Sequence, residues 1–161
     1  MSAESRLTES AIIEGDTLTI IRVFDATREQ VFQAWIDPDQ LAKWWGPEQL
    51  HTPRESIEID PRVGGIWKAT MVMNEGGQEY PTRAEIIRIK VPDLIEMRES
   101  ASDMFPFETS LTITLEEFDG KTILTIISRM ITENPDFGGA VEGWGTSLEK
   151  LRRLLSIQNL G

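Results

Sequence analysis

Cysteine is absent from the 161 residues, which removes disulfides, thiolate nucleophiles and cysteine-ligated zinc and is in keeping with a reducing cytoplasm. Histidine occurs once; His51 has no second histidine nearby and reads as a rim or surface residue, so no metal site is expected. Basic residues are scarce, with 16 Lys and Arg against 27 Asp and Glu, a formal net charge of −11. No Lys/Arg-rich run reverses that charge locally, so phosphate backbones and anionic headgroups are repelled and nucleic acid is not an expected partner. No stretch approaches the roughly 18 consecutive apolar residues of a membrane span. Met1 to Ser10 is polar and mixed in charge, without the basic flank and apolar stretch of a secretory signal, so a soluble cytoplasmic protein is expected. The G-x-S-x-G, P-loop and G-x-G-x-x-G motifs are missing too, which leaves no catalytic constellation and implies no cofactor.

What is present reads as one domain over 1–161, with its core at about 17–156 and no repeat, linker or low-complexity tract. Thr17 to Phe24 is rich in β-branched residues and follows the turn-like Glu14-Gly15-Asp16, which predicts a first strand. Thr27 with Gln30 three residues on is a capping-box signature, and Val31, Phe32, Trp35 and Ile36 give the helix that follows one apolar face. Asp37-Pro38 starts a second short helix bearing Leu41, Trp44 and Trp45, which Gly46-Pro47 stops.

From His51 to Ile131 the pattern turns to β. Strand-like segments near 51–60, 66–73, 79–90, 94–100, 107–117 and 121–131 are separated by Pro61 to Gly65, Asn74 to Gly77, Val91 to Asp93, the Phe105-Pro106 region and Asp119-Gly120. Short links favour antiparallel neighbours, and Asp119-Gly120 suits a type I′ hairpin, whose two central residues need positive φ. Thr109, Leu111, Ile113 and Leu115 alternate with Ser110, Thr112, Thr114 and Glu116, so one sheet face is expected to be wet. Asn134-Pro135 opens a last helix in which Phe137, Val141, Trp144, Leu148, Leu151 and Leu155 recur at spacings of four and three, with charged residues on its back. Helices packed on one face of a mostly antiparallel sheet make an α+β architecture.

The stretch from Phe24 to Trp35, then Asp37-Pro38, then Leu41-Ala42-Lys43-Trp44-Trp45-Gly46-Pro47 resembles the bacterial proteins similar to the C-terminal domain of the activator of Hsp90 ATPase, the activator of Hsp90 ATPase homologue 1-like family. Gly64-Gly65-Ile66-Trp67, Glu79-Tyr80-Pro81 and Glu142 to Leu148 fall in that family's order, and the resemblance covers roughly residues 17 to 156. It implies a START-like (SRPBCC, Bet v 1-like) helix-grip fold: a curved antiparallel sheet of about seven strands around a long C-terminal helix, with two short helices after the first strand and a hydrophobic cavity between sheet and helix. Function is implied only loosely, since the superfamily contains carriers, receptors, cyclases, resistance proteins and co-chaperones. The eukaryotic activator has a separate N-terminal domain that contacts the chaperone, and no counterpart is expected within these 161 residues.

Ligand-binding candidates follow from the expected inner surface. Trp44, Trp45, Trp67 and Trp144 have rings large enough to wall a pocket, whereas Trp35, central on an amphipathic helix, reads as core. With Trp67 inward, a period of two puts Ala69, Met71 and Met73 on the same face, where methionine makes an adaptable wall; Met97, Phe107, Met130 and Leu148 complete the set. Gly143 and Gly145 each cost the last helix about 1 kcal/mol relative to Ala, which calls for a close approach by the sheet or a ligand. Strand parity near 94–100 leaves open whether Met97 or Glu96 faces inward; an inward Glu96 or Glu85 would be the available general base. Ser147, mid-helix, reads as structural.

Three functions are therefore set against one another: a non-enzymatic pocket for a small apolar or amphipathic molecule; a cyclase- or hydrolase-like enzyme using a pocket carboxylate or His51; and an Hsp90-type chaperone-interacting module. A homodimer through a strand edge or the outer side of the helices is compatible with the sequence, which identifies no surface for it.

Overall fold

The computed structural model describes residues 8–102 and 106–160. One antiparallel sheet dominates it, built from β1 (Ser10–Glu14), β2 (Thr17–Phe24), β3 (Leu50–His51), β4 (Glu58–Ile59), β5 (Ile66–Met73), β6 (Glu79–Lys90), β7 (Leu94–Glu99), β8 (Glu108–Phe118) and β9 (Lys121–Ile131). The order across the sheet is β1-β2-β9-β8-β7-β6-β5-β3, with β4 also paired to β5. Two short helices, α1 (Arg28–Ile36) and α2 (Pro38–Leu41), follow β2, and the long α3 (Ala140–Gln158) closes the chain's described part. This is the α+β layering expected from the residues and the helix grip that the family resemblance implies, with nine strands among the described residues rather than about seven. Among the described residues no helix is long and apolar enough to cross a membrane.

Local chemistry explains most boundaries. The Thr27 hydroxyl accepts from the Gln30 N–H while the Gln30 side chain accepts from the Thr27 N–H, closing the capping box. Asp119 and Gly120 take φ of 53° and 77°, as a type I′ turn between β8 and β9 requires. Gly65 has a steric reason to be glycine: a Cβ there would lie 2.0 Å from the Asp60 carbonyl oxygen, inside the turn that delivers β5.

Four expected boundaries are corrected. β1, unforeseen, is an exposed edge strand with no alternating pattern, held in register by the Gly15 turn that pairs Ile12 with Thr19. The segment at 51–60 is not one strand: Pro53, which has no N–H for a ladder, introduces a 3-10 turn at Arg54–Ser56 between β3 and β4. α2 ends at Leu41, and Trp44 and Trp45 sit in the following turn, their N–H groups both donated to the Leu41 carbonyl. α3 starts at Ala140 rather than at Pro135, because Gly138 takes φ +49° and Gly139 is the N-cap. The turn expected at Phe105-Pro106 falls partly on residues 103–105, outside the described residues.

The core lies between the concave sheet face and the helices. Phe24, Phe32, Trp35, Leu41, Ile113 and Leu151 are all buried in one apolar cluster, and each fully buried large side chain contributes roughly 1.5–3 kcal/mol. α1 packs against α3, β8 and β9. It thereby fills the space between the sheet and the C-terminal half of α3, where Gln30 donates to Asn159 (2.7 Å) and Gln158 to Gln40 (3.1 Å).

Candidate functional site

Toward the N-terminal end of α3 the same two layers do not meet, and a cavity of about 320 Å³ lies between them. Its sheet wall consists of alternate residues on neighbouring strands, as the pleat dictates: Trp67 and Met71, Thr82 and Ala84, Met97 and Glu99, Thr109 and Leu111, Ser128 and Met130. The register aligns these into rows. Trp67, Ala84, Glu99, Thr109 and Met130 are direct neighbours across five strands, and Met97, Leu111 and Ser128 form the next row. Ala84, Thr109 and Ser128 are small, and across from them α3 presents Gly139, Ala140 and Gly143; short side chains on both walls leave the space unfilled. Phe107, Phe137 and Ser100 border it.

The wall beside α3 is the Trp45-Gly46-Pro47 turn, and α3 itself clamps it. The Ser147 hydroxyl donates to the Trp44 carbonyl (2.8 Å) and accepts from the Gly46 N–H (3.2 Å). Thr146 accepts from the Glu48 N–H (3.1 Å), and the Lys150 ammonium donates to the carbonyls of Pro47 and Leu50, both at 3.0 Å. Gly46 takes φ +107°, and a Cβ on Gly143 would come within 3.3 Å of the Pro47 ring, so glycine lets the turn approach the helix.

The five tryptophans form a continuous cluster in which Trp45 is central, with ring centroids 4.8 Å from Trp67, 5.4 Å from Trp144 and 5.5 Å from Trp44, all edge to face. Trp44 donates its indole N–H to the Ala34 carbonyl (2.9 Å) and Trp67 to the Trp35 carbonyl (3.2 Å), so α1 orients both rings.

Among the described residues Glu99 is the one ionisable member of the lining. It makes no side-chain hydrogen bond or ion pair among the described residues, and burial pushes its carboxyl from the usual 4.5 to about 7. An acid so placed exchanges its proton near neutrality. Among the described residues no group of three or more His, Asp or Glu side chains could hold a metal ion.

The geometry can be compared with known proteins. Residues 25–156 match the model of the family described as activator of Hsp90 ATPase homolog 1-like protein. The chain belongs to that family. Solved structures similar to it include a Chromobacterium violaceum protein with 27% identity and a TM-score of 0.80, covering 88% of this chain and 98% of that one. The AHSA1 protein of Silicibacter pomeroyi shares 29% identity at a TM-score of 0.73, covering 88% and 99%. CalU16 from Micromonospora echinospora, at 16% identity and a TM-score of 0.64 over 95% and 88%, shares the fold. No functionally curated protein matches the chain.

In this family member Trp45, Trp67, Met71, Met97, Phe107, Met130 and Trp144 border the cavity. Trp44, Ala69 and Leu148 do not; they are buried in the packed core, Trp44 because its ring turns toward α1. Parity on β7 resolves in favour of Met97, which is buried, while Glu96 faces the other side and pairs with Arg88 (2.6 Å). Glu85 is exposed, and His51 is exposed and bonded to Asn74 (2.7 Å). The three acid–base candidates read from the sequence therefore all lie off the cavity. Glu99 was missed, although the parity that turns Met97 inward turns Glu99 inward as well; the signal was present and its phase was not.

Proposed function

We propose that the protein binds a small apolar or amphipathic molecule in the cavity between sheet and α3 and acts by holding it, for sequestration, sensing or delivery in the cytoplasm. The observation that carries this reading is the cavity itself: its volume is at the lower end of the range of small-molecule sites, its walls are largely aromatic, methionine and aliphatic, and a few hydroxyls and one acid interrupt them. Membership of the family supports it through the fold. Thermal-shift and tryptophan-fluorescence screening against apolar and amphipathic metabolites tests it, since a ligand at about a hundred times its Kd adds about 2.7 kcal/mol. Hits should lose at least tenfold in affinity in Ser128→Leu, which puts a larger side chain into the lining. A flat screen, or hits indifferent to Ser128→Leu, would count decisively against the cavity as the binding site.

One observation favours a second reading, acid–base catalysis on the bound molecule: Glu99, with a carboxyl at about 7, is matched to proton transfer at neutral pH. Mass spectrometry of each hit after incubation with the protein and with Glu99→Gln decides it. A ligand recovered unchanged from both leaves binding as the activity. The family's name brings a chaperone contact with it, which no described surface feature singles out.

A further inference from the structure

Resting on the reading that the cavity holds a small molecule, its chemistry narrows the occupant further. Glu99 projects from β7 with Ala84 of β6 on one side and Thr109 of β8 on the other. Among the described residues nothing facing it brings a counter-charge: the opposite wall offers Trp45, Pro47, Gly143, Trp144 and Ser147, and the borders Phe107 and Phe137. Nearby basic residues of the sheet turn outward. Arg83 and Arg98 are exposed, and Arg98 stands 3.9 Å from Glu108.

We propose that the cavity is selective for a lipophilic amine, whose ammonium pairs with the Glu99 carboxylate while its apolar body lies against the faces of Trp45, Trp67 and Trp144. A carboxylate held among apolar groups without a partner is costly, and an ammonium restores both the opposite charge and the hydrogen-bond donors it lacks. Aromatic walls favour the same ligand, because the negative face of an indole attracts a cation. The net charge of −11 enriches cations around the molecule. A fatty acid or other carboxylate, by contrast, would bring a like charge to Glu99.

Isothermal titration at about pH 8 with phenylbutylamine, phenylbutanol and phenylbutyrate tests this, the three probes sharing one apolar body and differing in charge. The wild type should bind the amine at least tenfold more tightly than the alcohol and the acid most weakly. Glu99→Gln should bring amine and alcohol to within about twofold, chiefly by weakening the amine, and a cooperative thermal melt shows that the variant is folded. Glu99→Met repeats the test should the glutamine variant fail to fold. Equal binding of amine and alcohol by the wild type, or an amine preference that survives both substitutions, overturns the proposal and leaves the cavity reading standing. Preference for phenylbutyrate overturns it in favour of the positive end of α3, which borders the same cavity. Binding of none of the three, alongside a flat metabolite screen, sinks the cavity reading and this proposal together.

Discussion

The two halves of α3 face the same sheet and do opposite things. Its C-terminal half buries Leu148, Leu151, Leu154 and Leu155 and has α1 beside it, so the space down to the sheet is solid. Its N-terminal half presents Ala140, Gly143 and Trp144 to a sheet surface of Ala84, Glu99, Thr109 and Ser128, and the space is open. The contrast shows where stability and binding reside in this molecule. Packing density is supplied by leucines and by the short helices at one end, and a chamber is left at the other by withholding side-chain volume on both walls.

The largest expected effect breaks the solid half. Leu151 is fully buried, so Leu151→Ala should cost about 3 kcal/mol by loss of transfer energy and creation of a cavity. Met130→Ala, on a half-buried residue that already borders open space, should cost about 1 kcal/mol. Urea unfolding of both variants measures the difference. Equal losses would mean that the open half is as tightly packed as the filled one.

Next in size is the acid in the open half. The folded-state carboxyl of Glu99 stands at about 7 against 4.5 for the unfolded chain, so between these values the folded state binds more protons than the unfolded. Its contribution is therefore fully present below about pH 4.5 and is lost as pH rises through 7. Among the described residues no other ionisable side chain lines the cavity to offset it. Glu99→Gln removes the titration, so from pH 5 to pH 8 its stability relative to wild type should rise by about 2–3 kcal/mol. Unfolding curves that stay parallel across that range would show that Glu99 is well solvated and that both halves are electrically alike.

Ser147 stands at the junction of the halves, and its hydroxyl serves the buried carbonyl of Trp44 and N–H of Gly46 together. Ser147→Ala should cost about 1–2 kcal/mol, because both backbone groups lose their partner. Fluorescence titration with a ligand of the wild-type cavity should also show weaker binding, since the Trp45 wall is no longer pinned. Retained affinity with lowered stability would assign the clamp to the solid half alone.

The solid half was the more legible from sequence. Its leucines fall at helical spacing and its capping box is local. Each of those signals comes from residues adjacent in the chain. The open half depends on relations between distant residues. That Ala84, Glu99 and Thr109 share a row follows from strand register, which a bulge on β6 between Ile86 and Arg88 shifts. Trp44 and Trp45 are consecutive, yet one ring turns to α1 and the other to the cavity, because both lie in a turn and not on one helical face. The Ser147 clamp spans 103 residues to Trp44.

Gly143 and Gly145 looked alike in sequence, two costly glycines flanking Trp144, and the structure separates them. A Cβ on Gly145 would meet the Arg22 guanidinium at 3.7 Å, an ordinary contact, and nothing closer. Gly145→Ala should therefore recover helix propensity and raise stability by about 0.5–1 kcal/mol. Gly143→Ala meets the Pro47 ring at 3.3 Å, so the same propensity gain is opposed by displacement of the turn that walls the cavity. Thermal melts of the two variants give the smallest and sharpest test of the comparison between halves. A gain at 145 without one at 143 identifies Gly143 as the residue that lets the turn seat against the helix. Equal gains would mean that Pro47 yields freely, and the cavity wall would then owe its position to the Ser147 and Lys150 hydrogen bonds rather than to a missing methyl group.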